Sequence, residues 1–247
     1  MKILLSPSET KLKGGEESFI LSSLLFQELY PQRLKLLHHY INLLQKGDIR
    51  ILSKLFGLKK EKEIRYYQKD IIYELTYKAI QRYTGVAFKY LDYENLTLSQ
   101  QNFIDSHVII FSHLFGAIRA SDKIPEYKLK QNEAIGEIKP EQFYKKNLTT
   151  LLDNYLEKEE ILDLRAGFYD KFYKPTKNYT TLKFIKEGKV ISHWAKAYRG
   201  IILREIAIAN ISTIEEFKRL TLKGLIFKEE KITKNKTEFI YEIEKND

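Results

Sequence analysis

Apolar positions fall into short blocks whose spacing changes along the chain. Ile3-Leu4-Leu5 and Val108-Ile109-Ile110-Phe111 are brief apolar runs, the pattern of strands buried on both faces. Between them helical spacing dominates. Residues 19–29 and 34–44 predict two helices with Pro31 breaking between them. Ile49–Phe56 and residues 66–83 continue the helical pattern, with Gly57 and Gly85 as stops, and residues 141–155 predict another helix. The remainder is more mixed. Residues 180–185 and 189–192 flank Glu187-Gly188, a hairpin turn. Residues 193–209 predict a helix capped by Ser192, and residues 214–220 a short helix preceded by the cap candidates Ser212 and Thr213. Residues 222–228 and 238–243 read as two late strands joined by a charged turn at 229–236, and residues 244–247 are expected to fray.

No repeat, low-complexity linker or Pro/Gly/Ser-rich boundary interrupts the chain. The reading is therefore one mixed α/β domain over residues 1–247, a central sheet surrounded by many helices. Composition supports this: 43% hydrophobic and 13% aromatic residues let 247 residues bury a core without cross-links. The absence of cysteine excludes disulfides, thiolate nucleophiles and cysteine-held metals. No apolar run approaches the roughly 20 residues that span a bilayer, and the stretch from Met1 to Pro7 is too short for a signal peptide. A cytoplasmic, monomeric protein with no membrane partner is expected. His38 and His39 point to different sides of a helix, while His107, His113 and His193 are scattered, so no metal site is expected. There is no Walker loop, G-x-G-x-x-G or nucleophile elbow, and no cofactor is expected.

Charge narrows the partners. With 42 Lys and Arg against 33 Asp and Glu, the net charge of +9 favours polyanions. Placement carries more than the total. In the stretch from Ile51 to Lys60, Leu55-Phe56-Gly57-Leu58 has the apolar-x-Gly-apolar turn of a helix-hairpin-helix, with Lys59 where a second glycine is usual. Such a turn offers backbone N–H groups to a phosphodiester without reading bases. Lys54, Lys59, Lys60, Lys62 and Arg65 surround it. An ordinary helix–turn–helix connection fits the same residues, and residues 212–224 are a second, similar candidate.

Both apolar strands run into a hydroxyl residue and a loop: Ser6-Pro7-Ser8-Glu9-Thr10-Lys11 after the first, Ser112-His113-Leu114-Phe115-Gly116 after the second. Ligands of open α/β sheets collect at the carboxyl ends of strands. If the two strands are adjacent and parallel, Ser6 and Ser112 share one crevice; otherwise both merely satisfy strand ends. Arg119-Ala120-Ser121-Asp122 and Tyr127 follow within reach of that crevice. Lys196 and Arg199 share a face of the 193–209 helix, where Gly200 is explained by a backbone or ligand approaching closely.

Taken together, Ile3–Lys11, the stretch from Lys78 through Arg82 and Tyr83 to Gly85, the run from Ile110 to Asp122, Asp163-Leu164-Arg165-Ala166-Gly167 and Lys196-Ala197-Tyr198-Arg199-Gly200 resemble, in order, the YaaA family. His113 stands where that family commonly has Gly. The resemblance implies one compact α/β fold with a positively charged cleft and a helix-hairpin-helix-like element at about residues 48–66. It also implies DNA binding in peroxide defence, limiting iron-driven oxidative damage. On this reading Lys54, Gly57, Lys59, Lys60 and Arg65 meet the DNA backbone. Ser6, Lys11, Arg82, Tyr83, Ser112, Gly116, Arg119, Asp122, Tyr127, Arg165, Lys196, Arg199 and Gly200 form the cleft. The alternative is an enzyme acting on a nucleotide or nucleic-acid base, N-glycosidase-like, with Asp122 as its acid/base or charge-stabilising group. A third reading has the cleft binding only a small anion.

Overall fold

A computed structural model describes residues 1–191 and 194–244. The first apolar run forms β1 (Lys2–Leu5). Residues 19–29, expected to be helical, instead carry two 3₁₀ turns, Leu21–Ser23 and Gln27–Leu29. Phe26 between them takes a left-handed φ of 63°, which no α-helix accommodates. Pro31 sits in the first turn of α1 (Tyr30–Lys46), where its missing N–H costs nothing, and so starts that helix rather than separating two. Then come α2 (Ile49–Phe56) and α3 (Glu61–Tyr66).

The expected 66–83 helix is also corrected. Past α3 the chain turns irregular, forms β2 (Thr76–Lys78), and becomes helical only in α4 (Ala79–Arg82). Tertiary pairing with a later strand and the fully buried Arg82 override the local periodicity. Next follow α5 (Val86–Leu91), α6 (Leu98–His107), capped by Thr97 and Gln100, β3 (Val108–Ser112), β4 (Gly116–Arg119) and β5 (Lys123–Pro125). β2 and β5 pair as a small antiparallel ribbon.

The later elements are α7 (Pro140–Tyr155), β6 (Ile161–Asp163), β7 (Tyr179–Lys186), β8 (Lys189–Val190), α8 (Ala195–Ile208), α9 (Ile214–Arg219), β9 (Leu225–Thr233) and β10 (Lys236–Ile243). Glu187 and Gly188, both at positive φ (51° and 73°), make the tight β7–β8 turn. Thr213 caps α9, as expected. The proposed Ser192 cap lies outside the described residues. The last two strands are longer than expected. Most of the charged 229–236 segment is strand, because β9 keeps its Lys and Glu side chains on an exposed edge.

The sheet order is β4-β3-β1-β6-β7-β10-β9, with β8 added to β7. β3, β1, β6, β7 and β10 run parallel, and β4 and β9 close the two ends antiparallel. β1, β3 and β6 are buried almost throughout, as strands covered on both faces must be. α8 crosses α5 so closely that Gly200 meets the Ala87 carbonyl, and Arg204 Nη1 donates to the Leu91 and Asp92 carbonyls, tying the far end of α5 to α8. The expectation of a backbone approaching Gly200 is met by α5. Among the described residues no helix is long and apolar enough to cross a membrane.

Candidate functional site

β1 and β3 are adjacent and parallel, Leu5 opposite Ile110, so the two strand ends do open side by side. The chain leaves β1 as an extended segment: Lys11 bridges to Tyr83, and Thr84 N–H donates to the Thr10 carbonyl. That segment walls a cleft of ≈470 Å³, large enough for a nucleotide-sized ligand. Residues 85–88, at the start of α5, and Lys196 and Arg199, on α8, form the other wall. His113, Tyr127, Ala166 and Tyr169 form the floor. Ser6 lines the cleft, and its Oγ accepts from the Ala166 N–H (2.9 Å), joining the β1 and β6 ends.

Lys11 is the site's central cation. Its Nζ stands 3.9 Å from the Tyr127 ring centroid and 5.2 Å from that of Tyr83, and donates to the Ser8 carbonyl at 3.2 Å. Burial, reinforced by the nearby Lys128, lowers its pKa to about 7. Beneath it Tyr127 shares hydrogen bonds with the hydroxyls of Tyr83 and Ser112, each 2.9 Å. Burial raises the Tyr127 pKa to about 12, so this chain stays protonated at neutral pH. His113 sits among Phe168, Tyr169 and Phe172. Desolvation, helped by Lys11, lowers its pKa to about 3, and its buried Nε2 has no partner. At the rim Lys196 is exposed and Arg199 half-buried, its guanidinium pKa lowered by desolvation.

Several expected cleft residues are elsewhere. Ser112 is fully buried behind Tyr127, its Oγ accepting from Phe115 N–H (3.1 Å). Asp122 is away from the cleft. Its Oδ2 accepts from the N–H groups of Leu25 (2.8 Å) and Arg119 (2.9 Å), and Oδ1 pairs with the Arg119 guanidinium at 3.2 Å. It is thereby a loop fastener rather than a group facing a ligand. Arg82 spends its guanidinium on the carbonyls of Leu12, Leu75 and Ile124. Arg165 clasps Asp163 through Nε (2.8 Å) and Nη2 (2.7 Å) and lies over Phe111. Gly116, at φ 72°, packs on Tyr144. Sequence reasoning passed over His113, Ser8, Thr10 and Tyr169 as cleft residues. The polar run after β1 was the visible signal for two of them.

The hairpin element lies beside the cleft. Asp48 caps α2 through the N–H groups of Arg50 and Ile51, and Gly57, at φ 67°, ends it. Ser53 Oγ donates to the Leu58 carbonyl (2.6 Å), fixing the turn. The Lys130 N–H donates to the Leu55 carbonyl (2.9 Å), and the next residue, Gln131, lines the cleft and donates its N–H to Glu9. Lys60 pairs loosely with Glu63 (3.8 Å) and Arg65 with Glu61 (2.9 Å). Among the described residues Lys54, Lys59 and Lys62 are exposed and have no ion-pair partner. No group of three or more acidic, His or Cys side chains among the described residues is placed to hold a metal ion.

Comparison with known proteins places these features in a family. A protein of Campylobacter jejuni described as uncharacterized is 45% identical over 241 residues, covering 91% of this chain and 96% of that relative. A UPF0246 protein of Clostridioides difficile is 31% identical over 206 residues, covering 79% and 81% of the two chains. One from Fusobacterium nucleatum is 29% identical over 238 residues, covering 91% and 92%. Residues 1–231 match the model of the family described as peroxide stress protein YaaA, and the chain belongs to that family.

Proposed function

We propose that this chain is a DNA-binding protein of the peroxide stress response, holding DNA largely through its phosphate backbone and limiting iron-driven oxidative damage. The observation that carries the reading is the α2–α3 turn. Exposed, unpaired Lys54, Lys59 and Lys62 ring a fixed glycine turn whose supporting segment, Lys130-Gln131, leads directly into the cleft, with Lys196 and Arg199 on the far rim. Unpaired surface cations suit phosphate binding, because it releases condensed counterions without first breaking a salt bridge. The turn supplies charge through its lysines, while the N–H groups of Gly57 and Leu58 are spent on the Lys54 and Ser53 carbonyls and hold the turn in shape.

The test is fluorescence anisotropy with duplex, bubbled and single-stranded DNA at several salt concentrations. Log affinity should fall linearly with log salt. Replacing Lys54, Lys59 and Lys62 together by Ala should flatten the slope by about 0.9 for each phosphate that is no longer neutralised. Binding that ignores salt, or a triple variant with the wild-type slope, would overturn the reading.

The cleft favours a second reading, an enzyme acting on a nucleotide or nucleic-acid base, because its neutral imidazole and amine face a space of the right size. Asp122 has no part in that reading, since its carboxylate is committed to Leu25 and Arg119.

A further inference from the structure

Backbone binding at the hairpin leaves Lys11 without a task. A lysine that only neutralises phosphate belongs on the surface; this one stands in the cleft wall with a single protein acceptor, the Ser8 carbonyl. We propose that Lys11 is an amine nucleophile that captures the aldehyde of a phosphate-bearing, ring-opened sugar as an imine. The abasic deoxyribose of damaged DNA is the source that fits a cleft beside a basic hairpin, a choice that rests on the DNA-binding reading above.

The geometry supplies what such a step needs. Nζ is held between the Tyr127 face and the Ser8 carbonyl, and among the described residues no carboxylate is paired with it. The charged and titratable groups around it are Lys128 and Arg82, which oppose its protonation, Glu9 and Glu126, which favour it, and Tyr83, Tyr127 and His113. Desolvation by burial is the largest influence and, with Lys128, lowers its pKa to about 7. At neutral pH roughly half of the amine is therefore free, where an ordinary lysine holds less than about one part in a thousand. Lys196 and Arg199 stand across the cleft for the flanking phosphate, and the largely buried His113 ring lines its floor.

The chemistry balances without a further reactant. The Nζ lone pair adds to the aldehyde carbon, and the carbonyl electron pair moves to oxygen, which takes up a proton. That proton comes from the nitrogen and gives a carbinolamine. The nitrogen's second proton then passes to the hydroxyl, the C–O bond breaks, and water departs as the nitrogen lone pair forms the C=N bond. Amine and aldehyde become imine and water, with no change in oxidation state.

Borohydride trapping tests this directly. Wild-type protein is incubated with duplex DNA carrying an abasic site, reduced, resolved on a denaturing gel, and mapped by peptide mass spectrometry. A covalent adduct on Lys11 is expected, absent with intact duplex and absent in Lys11→Met. Anisotropy with a tetrahydrofuran abasic analogue, which has no aldehyde, measures binding separately, and deoxyribose 5-phosphate supplies the same aldehyde without DNA. Binding of the analogue with no adduct from either aldehyde, or an adduct mapped to another lysine, overturns the proposal. Trapping of deoxyribose 5-phosphate on Lys11 with no DNA binding keeps the imine and overturns the DNA reading. Because the mapping uses wild-type protein, the result stands even if Lys11→Met fails to fold.

Discussion

Gly200→Ala is the sharpest test of how the cleft is built. A Cβ at position 200 would lie 2.0 Å from the Ala87 carbonyl oxygen, 2.8 Å from its carbon and 3.0 Å from the Leu91 nitrogen. These are backbone atoms, so no side chain can swing aside; α5 and α8 must part by more than an ångström. Overpacking of this kind costs about 1–3 kcal/mol, and a rigid backbone contact belongs at the upper end. Alanine returns about 1 kcal/mol through its better helix propensity. The net loss is about 1–2 kcal/mol. For a chain of this size, each kcal/mol lowers Tm by roughly 2–4 °C, so a fall of about 2–8 °C is expected by calorimetry or circular dichroism. Gly167→Ala is the control, since a Cβ there meets nothing within 4 Å and its φ is not left-handed, and its Tm should not fall. A Gly200→Ala protein as stable as wild type, or more so, would refute the backbone-on-backbone account of the α5–α8 crossing.

Two other outcomes follow from buried polar groups. Asp122→Ala orphans the amides of Leu25 and Arg119 and should cost about 2–4 kcal/mol in chemical denaturation, whereas Arg119→Ala removes only a half-exposed partner and should cost under about 1 kcal/mol. Equal losses would show that the ion pair, not the amide bonds, matters. For His113, the unfolded imidazole binds a proton below about pH 6.5, while the buried one resists until about pH 3. In that window the unfolded state holds more protons, so the contribution to stability is present above pH 6.5 and is lost as pH falls, at up to about 1.4 kcal/mol per pH unit. His113→Phe should show a shallower decline in urea midpoint between pH 6.5 and 4.5; parallel declines would count against burial of a neutral imidazole.

The parallel core was legible because Ile3–Leu5 and Val108–Phe111 are too short and too apolar for anything but doubly covered strands. The glycine turns at Gly57 and Gly188 were legible for the same local reason. Residues 19–29 and 66–83 misled because helical spacing persisted where tertiary contacts dictated 3₁₀ turns and a β2–β5 ribbon. The site was half visible. Ser6 and Ser112 were placed at neighbouring strand ends, but only the fold reveals that Tyr127 closes over Ser112. Arginines were the poorest guide. Arg82 and Arg165 looked like cleft cations, yet a planar five-donor fork serves equally well to bind loop carbonyls or a buried carboxylate. The depressed basicity of Lys11 had no sequence signature at all, since it comes from what surrounds the residue rather than from its neighbours in the chain.

The placement of β1 also sets a timetable. Ile3 pairs with Val108 on one side and Leu162 on the other, so β1 gains both neighbours only once two segments far downstream of it are in place. Until β6 exists one of its apolar edges has no native partner, and loop-closure entropy across both long intervals must be met before those strands pair. Refolding should accordingly be slow relative to helical proteins of similar size, with the cleft among the last features to take shape, because its floor and both its joined strand ends wait on the same late closure.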